Sequence, residues 1–552
     1  MHPVFRLPVF SVLGTLPLMA AAATTVVPTG SGDLMRDAPL GTPQLAPRNA
    51  AQALPQVQPE AQAADLPEGL RVRVATLRVS GVRSLPQAEV QALVSDAQGQ
   101  ELDFRQLQAL ATRITNHYRS QGFMLARAYL PAQKITEGTL EIAVSEGVLG
   151  QYTLQVEAPL DSARVQPFLA GLKAGEPLRT EVMERDLLVL NDLPGVRVQS
   201  VLRPGQSVGS TDLDVQVRNE RSVNGSVTAD NYGNRYTGEW RLSGRLNIAS
   251  PWQFGDSLDL NLSSAGGGYN YGRAAWQTPV GGRGTQLGVA GSLMRYRLGQ
   301  EFASADAHGR ADDFTLYALQ PLLRSRTDNL QWQAAFDSKH YDDSALTTRQ
   351  TKSAKVLTLT LSGSQQHDSG ATSQGSLTLT HGQLDLEGQN RINDAAGYQT
   401  QGGYSKLGFQ GDVQFAWSPS LVAVVKLNGQ WAGKNLDSSE KLGLGGPQGV
   451  RAYTSSEGSS DEGLVGSVEL QHHYGIGRAR LFLDAAYGHA AHQPLPTDVS
   501  NGRHLSGAGL GADLKLPGDL LLQASLAWRL SQPAVASVDR NPRLWVQLGK
   551  NF

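Results

Sequence analysis

Between about Arg221 and Phe552, apolar and polar side chains take turns along one segment after another. Leu258, Leu260 and Leu262 alternate with Asp259 and Asn261. Leu357, Leu359 and Leu361 alternate with Thr358, Thr360 and Ser362, and Leu377 and Leu379 with Ser376, Thr378 and Thr380. A period of two belongs to a β-strand whose faces meet different surroundings. Such strands assemble either as a water-soluble sandwich, apolar face inward, or as an outer-membrane barrel, apolar face toward lipid and polar face toward a wet lumen. Alternation alone leaves both open.

Three further signals favour the barrel. About sixteen candidate strands can be marked off, an even number as bacterial barrels need. Tight turns (Ser418 to Ser420, Tyr474 to Gly477, Pro517 to Asp519) alternate with long connections (Glu387 to Gly402, Lys434 to Gly463, Gly488 to Arg503), as periplasmic turns alternate with external loops. Trp276, Trp417, Trp431 and Trp528 fall near strand ends, where an interfacial girdle places aromatics. Only 18 % of residues are charged while 60 are glycine, so uncharged groups carry much of the polarity.

A net charge of −2 provides no general field for nucleic acid. With no cysteine there is no disulfide, thiolate metal site or thiol nucleophile.

The chain begins with Arg6, an apolar run from Leu7 to Leu18, and small residues Ala20 to Ala23. Residues 1–23 thus have the layout of a secretory signal peptide, and Pro8 and Pro17 interrupt a run already short for a membrane anchor. Residues 24–70 are rich in Pro, Ala and Gln and predict a linker. Residues 71–149 and 150–219 then repeat one plan, strand-helix-helix-strand-strand. In the first, Arg71 to Ser80 is a strand, Leu85 to Leu93 and Phe104 to Tyr118 are helices, and Gly122 is a helix stop. In the second, the helices are Ala163 to Leu172 and Thr180 to Asp192, with Gly195 as the stop.

The stretch Tyr118-Arg-Ser-Gln-Gly-Phe-Met-Leu-Ala-Arg-Ala-Tyr-Leu-Pro131, followed by Glu137-Gly-Thr-Leu-Glu-Ile-Ala-Val-Ser-Glu-Gly147, resembles the first POTRA domain of the two-partner secretion transporters. These TpsB proteins form the ShlB/FhaC/HecB haemolysin secretion/activation family of the BamA-type superfamily. The resemblance implies a transmembrane β-barrel of about sixteen antiparallel strands over residues 220–552. Two periplasmic α+β POTRA domains would precede it. It implies a Gram-negative outer membrane as the location, and no cofactor. The cargo would be a large unfolded TpsA-type exoprotein, haemolysin- or adhesin-like, activated in the course of export. Barrel-assembly machinery, periplasmic chaperones and outer-membrane lipid would be partners during biogenesis. Ser31 to Ala38 is the one short candidate for the plug helix that many family members hold inside the barrel.

The resemblance also selects residues. Val450-Arg451-Ala452-Tyr453 stands where the family loop carries Val-Arg-Gly-Tyr. That loop folds inward, and its Arg meets an Asp of a Phe-x-Asp-x-Gly strand, here Phe482-Leu-Asp484-Ala-Ala486. A guanidinium pairs bidentately with a carboxylate where an ammonium does not. Ala452 and Ala486 replace the two motif glycines, which raises the question of a backbone with φ > 0. The last strand, Leu544 to Phe552, sets Leu544, Val546, Leu548 and Phe552 on one face and resembles the C-terminal barrel-assembly signal, with Lys550 interrupting the apolar series. Asp230 to Gly238 resembles the first hairpin of these barrels, though an Asn/Gly turn explains it equally.

Gly205-Gln-Ser-Val-Gly209 fits a nucleophile elbow, but a strand rather than a helix follows it. His472 and His473 are adjacent on a strand and point to opposite faces. The rival readings are a BamA-like assembly factor, a barrel enzyme, and a barrel with no export role. The first usually has more POTRA domains, the second needs a catalytic cluster not visible here, and the third does not need the repeated units.

Overall fold

The computed structural model describes residues 29–38, 53–55, 71–135, 138–157, 161–207, 209–220, 222–252, 254–346, 348–498, 500–535 and 540–552. The expected signal segment lies outside the described residues, as does most of the expected linker.

The first small unit contains β1 (Arg71–Arg73), β2 (Thr76–Ser80), α2 (Gln87–Ala92), β3 (Glu101–Asp103), α3 (Phe104–Ser120), β4 (Arg127–Tyr129) and β5 (Thr139–Ser145); a short helix, α1 (Ser31–Arg36), precedes it in the chain. The single strand expected over Arg71 to Ser80 is two strands in different sheets. β1 pairs with β3, and β2 pairs in parallel with β5. Between them Val74 turns into the core and donates its N–H to Gln100 O at 2.9 Å. Helix α3 starts on a capping box between Asp103 and Gln106 and buries Leu107, Leu110, Ala111, Ile114 and Tyr118. Glu146 is buried at its far end. The carboxylate accepts from the N–H groups of Arg83 and Ser84 and from the hydroxyls of Ser84 and Tyr118.

The second unit follows the same plan: β6 (Val148–Val156), α4 (Ser162–Val165), α5 (Thr180–Asp192), β7 (Val196–Pro204) and β8 (Ser210–Asn219), with sheet order β6-β8-β7. The helix expected over Ala163 to Leu172 is shorter, because Pro167 has no N–H to donate and the chain continues as a 3-10 turn, Gln166–Leu169. Ala53 and Leu54 of the linker region pack into this unit's core, and Ser200 Oγ donates to Ala53 O at 2.6 Å.

Sixteen strands close the barrel, each antiparallel to its neighbours. They begin with β9 (Val223–Asp230), β10 (Arg241–Ala249), β11 (Ser257–Ser264), β12 (Tyr269–Val280) and β13 (Thr285–Arg297). The tall side consists of β14 (His308–Arg324), β15 (Asp328–Ala345), β16 (Thr348–Gln366), β17 (Thr372–Leu386) and β18 (Gly402–Ser418), with α6 (Gly388–Ala395) in the loop before the last. β19 (Leu421–Ala432) is followed by a long loop holding the short pair β20 (Leu442–Gly443) and β21 (Ser459–Ser460). Then come β22 (Glu462–Tyr474), β23 (Gly477–His489), β24 (Gly502–Leu516), β25 (Leu520–Arg529) and β26 (Arg543–Asn551). β26 closes on β9, and beyond the ladder Phe552 and Gly225 exchange both backbone hydrogen bonds.

The pleat sets the two faces. Leu357, Leu359, Leu361, Leu377 and Leu379 are exposed on the outer wall, while Thr358, Thr360, Ser376 and Thr378 turn inward. Trp417 and Trp431 are exposed at strand ends, and Leu544, Leu548 and Phe552 face outward on the closing strand.

On the tall side the apolar outer band covers only part of the strands. Above Phe336 on β15 the same face carries Ser338, His340, Asp342 and Ser344; beyond Leu357 on β16 it carries Lys355, Ser353, Thr351 and Arg349. The short-turn end of the barrel receives the second unit. Arg324 pairs with Asp192 through Nε at 2.5 Å and Nη2 at 3.0 Å, Phe168 packs edge-on to Phe254, and Ser250 Oγ donates to Pro194 O. Helix α1 lies inside the barrel, with Leu34 and Met35 among Tyr236, Tyr269, Tyr271, Tyr296 and Tyr341.

Candidate functional site

The loop 433–461 does not project outward. It leaves β19, makes one 3-10 turn at Ser438–Glu440, and turns back at residues 446–450. Gly449 N–H donates to Gly446 O, Val450 N–H to Leu444 O and Gly446 N–H to Tyr453 O. Val450 and Tyr453 are fully buried and Ala452 is 3 % exposed, packed with Leu444, Val465, Phe482, Ala486, Leu505 and Ala527. Tyr453 fixes the loop to the connection between β25 and β26 by donating its hydroxyl to Gln532 O at 2.6 Å. Glu457 ties it again, through Arg503 and the N–H of Val535.

This turn delivers Arg451 to the inner faces of β22 and β23. Asp484 receives three bonds from it: the backbone N–H at 3.1 Å, Nε at 2.9 Å and Nη2 at 2.7 Å. The structure therefore joins Arg451 and Asp484 in a bidentate pair, with Asp484 fully buried. Phe482, two residues earlier on the same face, lies under the guanidinium at 3.4 Å from the ring centroid. Gly509 on β24 gives that ring its space: a Cβ there would sit 2.3 Å from Phe482 Cζ.

The two alanines in the motif positions fit. Neither residue 452 nor 486 is among the described non-glycine residues with positive φ, so neither position demands glycine. The space above Ala452 comes instead from Gly507, where a Cβ would come within 2.7 Å of Ala452 Cβ.

Several site residues escape a reading of the motif alone. Glu469 on β22 accepts from Arg451 Nη1 at 2.6 Å, making the site one cation between two carboxylates. Ser467 bridges, accepting from Nη2 at 3.0 Å and donating to Asp484 Oδ1 at 2.8 Å. Trp545, on the closing strand, donates its indole N–H to Arg451 O at 2.7 Å. The only local signal for Glu469 is its parity: Ser467, Glu469 and Gln471 share the polar face of β22. Phe552 is not part of this cluster; it lies on the outer wall at the barrel seam.

Such a cluster holds a loop in one place. Two buried acids around one arginine make the tip's position depend on charge as well as packing. Removing the cation would leave two buried negative charges near each other.

Comparisons with known proteins agree with the fold. Residues 72–147 match a family model described as POTRA domain, ShlB-type, and residues 209–514 match haemolysin secretion/activation protein ShlB/FhaC/HecB. Among curated relatives, the heme/hemopexin transporter protein HuxB of Haemophilus influenzae (strain 86-028NP) is 27 % identical over 476 residues, 84 % of either chain. The hemolysin transporter protein ShlB of Serratia marcescens is 25 % identical over 477 residues, 84 % of this chain and 83 % of that one. Among solved structures, CdiB from Escherichia coli shares the fold with a TM-score of 0.70 at 20 % identity, covering 91 % of this chain and 95 % of its own.

Proposed function

Because the chain belongs to the haemolysin secretion/activation protein ShlB/FhaC/HecB family, we propose that its loop 433–461 is the gate through which it exports its cargo. As a member of that family it is an outer-membrane two-partner secretion transporter with its POTRA region in the periplasm. The observation that carries the gating reading is the Arg451 cluster, which holds the longest loop of a closed barrel inside the lumen rather than outside it.

The cargo is a secreted TpsA-type exoprotein, and its class follows from relatives named as hemolysin and heme/hemopexin transporters. It reaches the barrel unfolded. The second unit, at 150–219, serves as a further POTRA domain, and the two units capture an extended chain by adding it to a free sheet edge. Backbone hydrogen bonds made in this way hold many sequences. No nucleotide is needed: folding of the emerging chain outside the cell draws it through. The closing strand ending in Phe552 is the segment read by the barrel-assembly machinery, and periplasmic chaperones deliver the chain to it.

The test is export of the cargo by a chain lacking residues 72–148. The barrel should still assemble and export should stop. Export at the normal rate by the shortened chain would refute the assignment of cargo capture to the first unit.

A further inference from the structure

The long loop is held at a second place, far from Arg451. At its first turn Asp437 and Glu440 meet three lysines of the inner wall. Lys352 Nζ on β16 donates to both oxygens of Asp437 at 2.8 Å. Lys339 on β15 and Lys406 on β18 flank Glu440 at 2.9 and 3.0 Å, one on each carboxylate oxygen. Lys406 also donates to Glu440 O at 2.7 Å, as does Gln430 at 3.1 Å. Glu440 is 5 % exposed. Asp437 caps the 3-10 turn it begins, accepting from the N–H and hydroxyl of Ser439. The loop thus crosses the lumen, with its elbow on the β15–β18 wall and its tip on the β22–β24 wall.

Helix α1 rests on the elbow. Arg36 Nη1 donates to Ser438 O at 3.2 Å and to Ser459 Oγ at 2.8 Å. Gly32 is so close that a Cβ would lie 2.7 Å from Ser438 Oγ, 3.0 Å from Lys352 Nζ and 3.1 Å from Ser439 N. At the other end of the helix, Ser31 N–H and Oγ donate to Asp343 of β15 at 3.0 and 2.8 Å, where Tyr296 also donates.

We propose that Lys339, Lys352 and Lys406 are positioning residues that bolt the loop at its elbow, and that the same bolt holds helix α1 in the lumen, so that helix departure and elbow release are one event. The helix is short, six residues, with its first residue on Asp343, one face on the tyrosines of the wall and the other on the elbow. If the elbow moves, Gly32 loses its packing surface and Arg36 loses Ser438 O. If the helix leaves, Lys352 loses the cover that keeps water from its pair with Asp437. Each buried ion pair is therefore maintained by the element it retains. The tip cluster is separate, because none of its partners touches α1 or the elbow lysines among the contacts described.

The inference rests on the export reading only for its purpose; the bolt itself is measurable without cargo. The protein has no cysteine, so Met35→Cys in the full chain supplies a single thiol on the buried face of α1. Its labelling rate by a water-soluble maleimide, in barrels that pass the gel-shift test for folding, reports helix departure. Glu440→Gln and the pair Lys339→Met, Lys406→Met should each accelerate labelling about tenfold or more, a population shift equal to ~1.4 kcal/mol. Arg451→Ala should leave it within about twofold, since tip and elbow are separate. Exchanging the charges, Lys352→Asp with Asp437→Lys, should restore slow labelling lost in Lys352→Asp alone. Gly32→Val is the positive control, forcing the helix off sterically. Should Glu440→Gln fail to assemble, Asp437→Asn reads the same step. Unchanged labelling in the elbow variants, with Gly32→Val fast, overturns the bolt. Failure of the charge exchange to restore slow labelling overturns the specific pairing.

Discussion

Replacing Arg451 by Ala removes the cation from between Asp484 and Glu469, and the size of the effect follows from burial. Asp484 is fully buried and Glu469 is 3 % exposed, so neither carboxylate is solvated when its partner goes. Stranding a buried charge costs about 3–5 kcal/mol, which lowers the docked-to-undocked ratio of the loop tip by roughly 10² to a few times 10³. Losing one acid costs less, because the other still neutralises the guanidinium. Asp484→Ala deletes three bonds from Arg451, and Glu469→Ala deletes one. We expect about 1.5–3 kcal/mol for the former, as for charge-assisted hydrogen bonds, and less for the latter.

The triad therefore predicts couplings of opposite sign. Arg451→Ala with Asp484→Ala should cost less than the sum of its parts, and Asp484→Ala with Glu469→Ala should cost more, since only the acid pair's loss orphans the cation. Hydrogen exchange of the segment 444–458 in the full chain reads tip opening directly, because Val450 and Tyr453 N–H are bonded within the folded turn. Exchange unchanged by Arg451→Ala, or additivity in both cycles, would mean that packing of Val450 and Tyr453 alone docks the tip. Arg451→Lys should recover only part of the protection, an ammonium being unable to span both acids.

A closed barrel leaves no strand edge unpaired, so unboiled and boiled samples should migrate differently on a detergent gel; identical migration would refute the closed barrel. Glu146 is held below the usual carboxylate pKa: burial raises it, but the Ser84 hydroxyl, the N–H groups of Ser84 and Arg83, and the Tyr118 hydroxyl outweigh that. A depressed folded-state pKa contributes stability above the unfolded value of about 4.3, and that contribution is lost as pH falls through the lower folded value. The urea midpoint of the small units, followed by helical circular dichroism, should thus fall below about pH 4, and Glu146→Gln should flatten that fall. Arg324→Ala should loosen the second unit on the barrel by ~3 kcal/mol, broadening the distance distribution between spin labels at Lys173 and Arg283; an unchanged distribution would leave the Phe168–Phe254 contact as the sufficient anchor.

The barrel is legible in the sequence because a strand's two faces are written residue by residue: spacing puts Leu357, Leu359 and Leu361 on one face, and the strand count and the alternation of short and long connections turn that face outward. Arg451 and Asp484 are legible through a motif, since loop and strand each carry a recognisable string. The break at Val74 is only half legible: the apolar phase slips there, from Val72 and Val74 to Leu77 and Val79, but the partner strand that divides the segment, Glu101–Asp103, comes from later in the chain. Glu469 and the elbow lysines are hidden for a different reason. Lys339, Lys352 and Lys406 lie on three strands, and barrel register alone places them around Glu440 and Asp437.

The unequal height of the wall has a consequence for the bilayer. A tilted strand crosses the hydrocarbon in about 9–11 residues, and β15 and β16 have 18 and 19. Their surplus is the stretch whose outer face is polar, a parapet standing clear of the lipid on the side of the long loops. Lys339, Tyr341, Asp343 and Lys352 lie within that stretch, so the helix and the elbow are enclosed by protein with water, not acyl chains, on its far side. Changes of lipid thickness press on the lower wall and should pass this part of the molecule by. The hold of the elbow on helix α1 should therefore be independent of the membrane around the barrel.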